Sequence, residues 1–170
     1  MADLLTEFVF QSGAMISECG NYRYHLWRVW DDERPILCFV MLNPSTANAT
    51  EDDPTIRRCL GFAKRDGYGG ISVRNLFALR ATDPRQLVRV PDPVGPENQK
   101  HLLACRNVSL LTRLVAAWGK LPGGKALKSL AQNSINIVRM NYPYCLGTNG
   151  DGSPKHPLYL ANDTPMTEWR

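Results

Sequence analysis

An uninterrupted apolar run at residues 36–42, closed by Asn43 and Pro44, constrains the fold more than any other feature of the chain. Seven apolar residues in a row leave no polar face, which is typical of a strand buried on both sides of a parallel sheet. An Asn-Pro pair breaks regular structure, because the residue before a proline disfavours helical backbone. The run therefore predicts a central, parallel strand that ends at Asn43.

Strand and helix signals alternate along the rest of the chain. The aromatic-rich residues 22–30 predict a strand at a sheet edge, and Asp53 and Pro54 predict the N-cap and first position of a helix that ends near Gly67. Further strands are predicted at 71–79, at 114–118 and once or twice within 135–146, further helices at 96 to about 108 and at 124–132, and a loop at 147–154. This order predicts an α/β fold, a three-layer α/β/α sandwich with a central, mostly parallel sheet.

Length and composition indicate one globular domain over residues 1–170, with a core at about 20–160 and loosely attached termini, including a polar tail from Ala161. An apolar content of 44% with 21% charged residues excludes an intrinsically disordered chain. No apolar run reaches the roughly 20 residues of a membrane span, and residues 1–7 lack the features of a signal peptide. We therefore expect a cytoplasmic protein with no membrane partner. The net charge of +4 is compatible with nucleic acid but does not require it.

Cysteine spacing and motifs argue against metal and cofactor chemistry. The five cysteines include no CxxC pair, which disfavours a zinc ribbon or an iron–sulfur cluster and indicates reduced thiols. The chain contains no P-loop and no GxGxxG, HExxH or GxSxG motif, which disfavours a nucleotide triphosphatase, a dinucleotide oxidoreductase or a zinc hydrolase. We expect no metal, no metal cluster and no cofactor.

Polar residues at the predicted carboxyl ends of strands are the candidates for a site, because ligands of such sheets bind at that edge. Asn43 can position a water or a substrate carbonyl. Pro44 stiffens the turn, and Ser45 and Thr46 can cap a helix or bind an anion. An ordinary strand-to-loop turn would explain the same residues.

Three further segments supply candidates. Asn75 interrupts an apolar strand, and its donor and acceptor suit the edge of a base, although a bond to a neighbouring loop would also satisfy it. Trp118 and Gly119 close another predicted strand. His156 lies in a loop that a proline stiffens, and it can donate to a developing anion.

Charged side chains are candidates for contact with phosphate or for a general base. The basic set comprises Arg57, Arg58, Lys64, Arg65, Arg74, Arg80 and Arg85. A solvated helix face explains the first four, whereas Arg80 and Arg85 lie near a strand end and are better placed for phosphate. Asp52 or Asp53 could act as a base, and capping of the following helix explains Asp53 equally well.

Four segments together resemble the uncharacterised bacterial and phage family called domain of unknown function 1643 (DUF1643). They are residues 39–47, 75–84, 117–119 and 156–160. The resemblance covers roughly residues 22–160, and the family name implies no activity.

A more distant resemblance is to the uracil-DNA glycosylase superfamily. The counterparts of its motifs, in chain order, are Asn43-Pro44, Asn75, Gly119 and His156-Pro157. One branch of the superfamily carries an iron–sulfur cluster whose paired cysteines this sequence lacks, so no cluster is implied. The late loop continues with Leu158 and Tyr159 in place of the usual serine-containing wedge.

This second resemblance implies hydrolysis of the bond between a base and its sugar. Asn43 would position the water, His156 would stabilise the departing base anion, and Asn75 would hold the base by its polar edge. Phe77 or Tyr159 would stack on a base that is unstacked from a duplex or presented single-stranded.

Three other interpretations remain open. The chain could bind a modified base or nucleotide without chemistry, act on a free nucleoside or nucleotide, or be an interaction domain whose site has decayed. The expected partners are therefore DNA or RNA, or a nucleotide or nucleobase. The base, the oligomeric state and any closure of the 147–154 loop over a ligand are left open.

Overall fold

The computed structural model describes residues 11–45, 47–107 and 113–170, which form a seven-stranded sheet with helices against it. The strands are β1 (Gln11–Ile16), β2 (Arg23–Val29), β3 (Ile36–Met41), β4 (Gly70–Asn75), β5 (Arg113–Ala116), β6 (Tyr144–Cys145) and β7 (Thr167–Glu168). The helices are α1 (Pro54–Arg65), α2 (Asn98–Leu103) and α3 (Gly124–Arg139). Across the sheet the strands follow the order β1-β2-β4-β3-β5-β6-β7. The predicted α/β class is confirmed.

The apolar run forms β3, the middle strand, which pairs in parallel with β4 on one side and β5 on the other. Its side chains alternate between two apolar clusters, as the pleat of a strand requires. Leu37 and Phe39 pack in the cluster that contains the buried residues of α1, whereas Cys38 and Val40 pack in the cluster that contains those of α2 and α3. Burial on both faces explains why the run has no polar position, and the prediction of a central parallel strand is confirmed.

The sheet is mixed, so the prediction of a mostly parallel sheet was wrong. Three strand pairs are parallel and three, β1–β2, β2–β4 and β6–β7, are antiparallel. The chain passes from β2 to β3 in a short turn, which reverses direction but cannot form the long crossover that parallel strands need. Because β4 runs parallel to β3, β2 must then run antiparallel to β4. β1 covers the other side of β2, which is therefore not the edge strand that we predicted.

Helix α1 begins and ends where the sequence predicts. The Asp53 Oδ1 accepts the backbone N–H of Ile56 at 2.8 Å, and Pro54 occupies the first turn. Gly67 follows the helix with a φ of +77°, a conformation that glycine adopts without the steric cost of a side chain.

Several predicted boundaries shift. β4 stops at Asn75, four residues before the predicted end at 79. α3 continues to Arg139, so the predicted range 135–146 begins with a helix and contains one strand, β6. α2 is followed by a 3₁₀ turn at Ala104–Asn107, and Val108, at the predicted end of that helix, lies outside the described residues.

The two chain ends also differ from the expectation. Residues 11–16, which show no clear period, form β1, while residues 1–7 lie outside the described part of the chain. The expected loose tail after Ala161 instead carries β7, which pairs with β6. Trp169 is buried and its indole N–H donates to the carbonyl of Gly152 at 3.1 Å. Among the described residues, no helix is long and apolar enough to cross a bilayer.

Candidate functional site

A cavity of about 460 Å³ opens at the carboxyl ends of the parallel strands β3, β4 and β5. Its walls contain seven of the predicted site residues: Asn43, Ser45, Asn75, Trp118, Gly119, His156 and Tyr159. They come from four separate segments of the chain. The structure therefore brings most of the predicted site together at one edge of the sheet, whereas Thr46 lies outside the described residues.

Three predicted residues do not line this cavity. Phe77 is fully buried in the apolar cluster on the α2 and α3 side, so its ring has no face open to a base. The carbonyl of Pro44 accepts the backbone N–H of Ala81 at 2.9 Å and thereby fixes the loop. Arg80 donates from Nη1 to the carbonyl of Gly20 at 3.1 Å.

The amide of Asn43 has one orientation that its neighbours dictate. Its Nδ2 donates to the carbonyl of Pro44 at 3.0 Å and to that of Ala81 at 2.7 Å. Both amide hydrogens are thus used to hold the loop, and the Oδ1 is the atom left to face a ligand. Asn43 can therefore accept a hydrogen bond from a water molecule in the cavity, but it has no hydrogen left to donate.

His156 is held as a neutral donor. Its Nδ1 accepts the backbone N–H of Leu158 at 3.2 Å, which requires that nitrogen to be unprotonated. Burial lowers the pKa of His156, and the carboxylate of Asp53 opposes this shift only in part. The neutral ring must then carry its proton on Nε2, which makes that nitrogen a hydrogen-bond donor.

Gly119 permits the close approach of the strand end to His156. Its φ is +73°, and a Cβ at this position would lie 3.3 Å from the Cβ of His156. A larger residue would be strained and would press on the histidine.

Asn75 is buried in the wall of the cavity with its polar side chain unused. The residue is 2% exposed, and its Oδ1 has no hydrogen-bond partner in the described part of the chain. Its backbone carbonyl, in contrast, accepts from Nδ2 of Asn98 at 3.0 Å. The backbone is therefore fixed, whereas the side-chain oxygen of the amide that we predicted to read a base is unpaired among the described residues.

Two acidic residues precede α1 and have different roles. Asp52 forms an ion pair with the buried Arg28 at 2.9 Å. Asp53 lines the cavity and caps α1 at the same time. The carboxylate that can act as a base in this site is therefore Asp53.

Sequence reasoning missed Arg23, which lines the cavity at 2% exposure. It is the first residue of β2, and its backbone N–H donates to the carbonyl of Ala78, just beyond the carboxyl end of β4. An antiparallel β2 brings its first residue to the site, whereas a parallel strand would have placed it at the opposite edge. The sequence analysis assigned no direction to β2, and it therefore could not place Arg23 at this edge of the sheet.

The other predicted cations lie outside the cavity. Arg85 is 77% exposed and pairs with Asp83 at 2.9 Å, and Arg74 donates to the Ser72 Oγ at 2.6 Å on the opposite face of the sheet. Arg57 donates to the carbonyl of Asp52 at 2.6 Å. None of these three contacts supports a role in binding phosphate.

Arg58 and Arg65 of α1 fasten the segment that follows His156. Arg58 donates to the carbonyl of Leu160 and to the side chain of Asn162. Arg65 donates to the carbonyls of Asn162 and Thr164 at 2.6 and 2.7 Å. Residues 157–164 are therefore attached to the helix whose first turn carries Asp53.

Metal ligands are sparse around this cavity. Within residues 11–45, 47–107 and 113–170, no three His, Cys, Asp or Glu side chains are grouped so that they could hold a metal ion. All five cysteines are free thiols. The polar groups that line the cavity are thus amides, hydroxyls, one imidazole, one carboxylate, one guanidinium and the ammonium of Lys120.

One comparison with known proteins identifies a family. No curated protein and no solved structure matches this chain. The model of a family described as "Protein of unknown function (DUF1643)" matches residues 23–158. That span begins at Arg23 and includes Asn43, Asn75, Gly119 and His156, so it covers the principal walls of the cavity. The chain therefore belongs to the DUF1643 family.

Proposed function

We propose that the cavity binds a nucleobase of a nucleic acid and that the protein hydrolyses its N-glycosidic bond with a water molecule. The observation that carries this proposal is the convergence of three complementary groups on one cavity. Asn43 presents an acceptor, His156 a neutral donor, and Asn75 a buried amide without a partner for its oxygen.

The reaction assigns one task to each group. The Oδ1 of Asn43 accepts from the attacking water and aims its oxygen at C1′ of the sugar. As the bond from C1′ to the base breaks, its electrons move to the base and the sugar acquires oxocarbenium character. The Nε2–H of His156 stabilises the base anion, a role worth about 3–4 kcal/mol for one well-placed donor. The water oxygen bonds to C1′, and Asp53 takes the proton that it loses.

The base would be recognised by the amide of Asn75 and by the aromatic ring of Tyr159 at the opening of the cavity. Tyr159 is 83% exposed, and its ring centroid lies 5.8 Å from that of His156. An exposed ring beside the donor can stack on a base that has left its helix. Phe77, the other aromatic candidate, is enclosed by the core and does not fit this task.

The architecture supports the more distant resemblance as well. Four consecutive strands, β4, β3, β5 and β6, are parallel, and helices pack against both faces of this part of the sheet. A three-layer arrangement of the uracil-DNA glycosylase kind would have such a centre, with its site at the same carboxyl edge. We propose this kinship for the parallel half of the sheet only.

A free nucleotide is the second candidate substrate. It is favoured by Arg23, a buried cation that lines the cavity, since a charged group at that depth suits a small ligand that enters whole. A protein that binds a modified base but performs no chemistry would use the same cavity walls. Its binding would tolerate loss of the His156 donor.

The test is mass spectrometry of the products from oligonucleotides that carry normal, deaminated and modified bases, in single and double strands. Asn43→Ala and His156→Ala should abolish release of a free base. Asn133→Ala, which alters an exposed asparagine of α3, should leave release unchanged. If no base is released from any oligonucleotide, or if release survives in both site variants, the proposed activity is wrong.

A further inference from the structure

Arg23 is a buried cation that forms no ion pair with any carboxylate of the described residues. Its Nη1 donates to the carbonyl of Ala47 at 2.6 Å, and its Nε is buried with no hydrogen-bond partner in the described part of the chain. Burial lowers its pKa to about 10, so it remains charged at neutral pH. Asp53 attracts this charge, but it forms no ion pair with Arg23 as Asp52 does with Arg28.

Burying an unpaired guanidinium is unfavourable, because a charge loses free energy of hydration when it leaves water. Only an ionic or hydrogen-bonded partner offsets this loss. The two buried arginines of β2 show the difference. Arg28 donates to a carboxylate and to three backbone carbonyls, and it serves the structure. Arg23 has one hydrogen bond to the backbone and borders a cavity.

A second, independent observation points to a ligand at the same place. The Oδ1 of Asn75 is buried, unpartnered and located in the same wall as Arg23. Two polar groups that lack partners in one cavity can both be satisfied by one bound molecule. The molecule must offer an anion to Arg23 and a polar edge to Asn75.

We propose that Arg23 binds the terminal phosphate of a phosphate monoester, so that the ligand of the cavity is a nucleoside monophosphate. This rests on the second candidate of the proposed function, a free nucleotide, and not on a base within a nucleic acid. A guanidinium matches the oxygens of a phosphate in a paired geometry that a lysine cannot reproduce.

The depth of Arg23 decides between a terminal and an internal phosphate. At 2% exposure, the guanidinium can be reached only by a group that enters the cavity itself. A phosphodiester continues into a further nucleotide on each side, and both continuations would have to leave a space of about 460 Å³. A terminal phosphate enters with one attachment, and therefore fits this position.

The first experiment measures binding without any base release. Inorganic phosphate should raise the melting temperature of the protein, because a ligand that binds only the folded state stabilises it. By calorimetry, nucleoside monophosphates should bind at least about tenfold more tightly than the matching nucleosides, as expected for charge-assisted hydrogen bonds. The acetate ion serves as the carboxylate probe and should give the smaller thermal shift.

Variants then assign this preference to one residue. Arg23→Met should remove the preference for the phosphorylated ligand, and Arg23→Lys should reduce it while retaining the charge. Arg85→Met removes an exposed arginine that is paired with Asp83, and should change nothing. Circular dichroism checks folding, and if Arg23→Met does not fold, the result for Arg23→Lys decides.

Three results would overturn the inference. The first is equal binding of nucleoside and nucleoside monophosphate by the wild-type protein. The second is an unchanged preference for the monophosphate in a folded Arg23 variant. The third is that oligonucleotides with internal phosphates only bind more tightly than the monophosphate. Failure of base release would not overturn it, since these assays follow phosphate binding alone. Conversely, base release by a protein that binds nucleoside and monophosphate equally would support the proposed activity and refute the role of Arg23.

Discussion

Replacing Asn75 by leucine should stabilise the protein and abolish the base recognition that we propose. The Oδ1 of Asn75 is buried and has no partner among the described residues, and such an unpaired group costs roughly 1–3 kcal/mol. The cavity lining also contains the apolar residues Met41, Val73 and Ile56, and Met41 pairs with Asn75 across the sheet, so a leucine of similar size can be accepted there. The altered shape offsets part of the gain, up to about 1.5 kcal/mol. The net expectation is a gain of about 1 kcal/mol and a melting temperature higher by about 3 °C.

Asn98 provides the matched control, since it is also a buried asparagine with an unpartnered Oδ1. Its Nδ2, however, donates to the carbonyls of Asn75 and Leu76, at 3.0 Å in both cases. Asn98→Leu removes both hydrogen bonds, and should lower the free energy of unfolding by about 2 kcal/mol.

Urea unfolding and scanning calorimetry of the two variants measure the changes in the free energy of unfolding and in the melting temperature. Opposite signs for Asn75→Leu and Asn98→Leu would support the argument that the Asn75 amide is reserved for a ligand. Equal destabilisation would refute it, because the amide of Asn75 would then be holding the fold together as that of Asn98 does.

The remaining predictions concern Gly119 and the pH dependence of stability. Gly119→Ala should lower the free energy of unfolding by about 1–2 kcal/mol and slow the proposed base release. Alanine is strained at a φ of +73°, and its Cβ presses on His156. The control Gly150→Ala, in open space, should change neither the stability nor the release. Burial lowers the pKa of His25 from 6.5 to about 3, so the folded state binds fewer protons than the unfolded state between these values. The stability that this contributes is present above pH 6.5 and is lost as the pH falls towards 3, which amounts to about 2 kcal/mol between pH 7 and pH 5. Urea titrations at both pH values should show that loss in the wild-type protein and a smaller one in His25→Gln, and equal losses would contradict the assignment.

Features that depend on local chemistry could be predicted from the sequence. The position of β3 followed from its unbroken apolar run, and the start of α1 followed from the Asp53 cap and the proline after it. The sequence also predicted that four polar-site residues meet at one edge of the sheet, namely Asn43, Asn75, Gly119 and His156. The parallel strands β3, β4 and β5 end at this edge.

Features that depend on distant contacts could not be predicted in this way. β2 pairs with β4, more than forty residues away in the chain, and not with its neighbour in sequence β3, and this pairing brings Arg23 to the site. Residues 135–139 contain apolar side chains that suit either a strand or a helix, and packing against the sheet favours the helix. β7 has two residues, too few for any period, and the burial of Trp169 beside Trp118 accounts for its place.

The attachment of residues 157–164 to α1 has a consequence for how the molecule is built. Arg58 and its acceptor Leu160 are separated by 102 residues, so their contact closes one of the long loops of the chain. Contacts between such distant residues form late and slow the folding of a domain. During synthesis, the half of the cavity with Asn43 and Asn75 is made well before His156 leaves the ribosome. The cavity therefore stays incomplete until synthesis has passed His156.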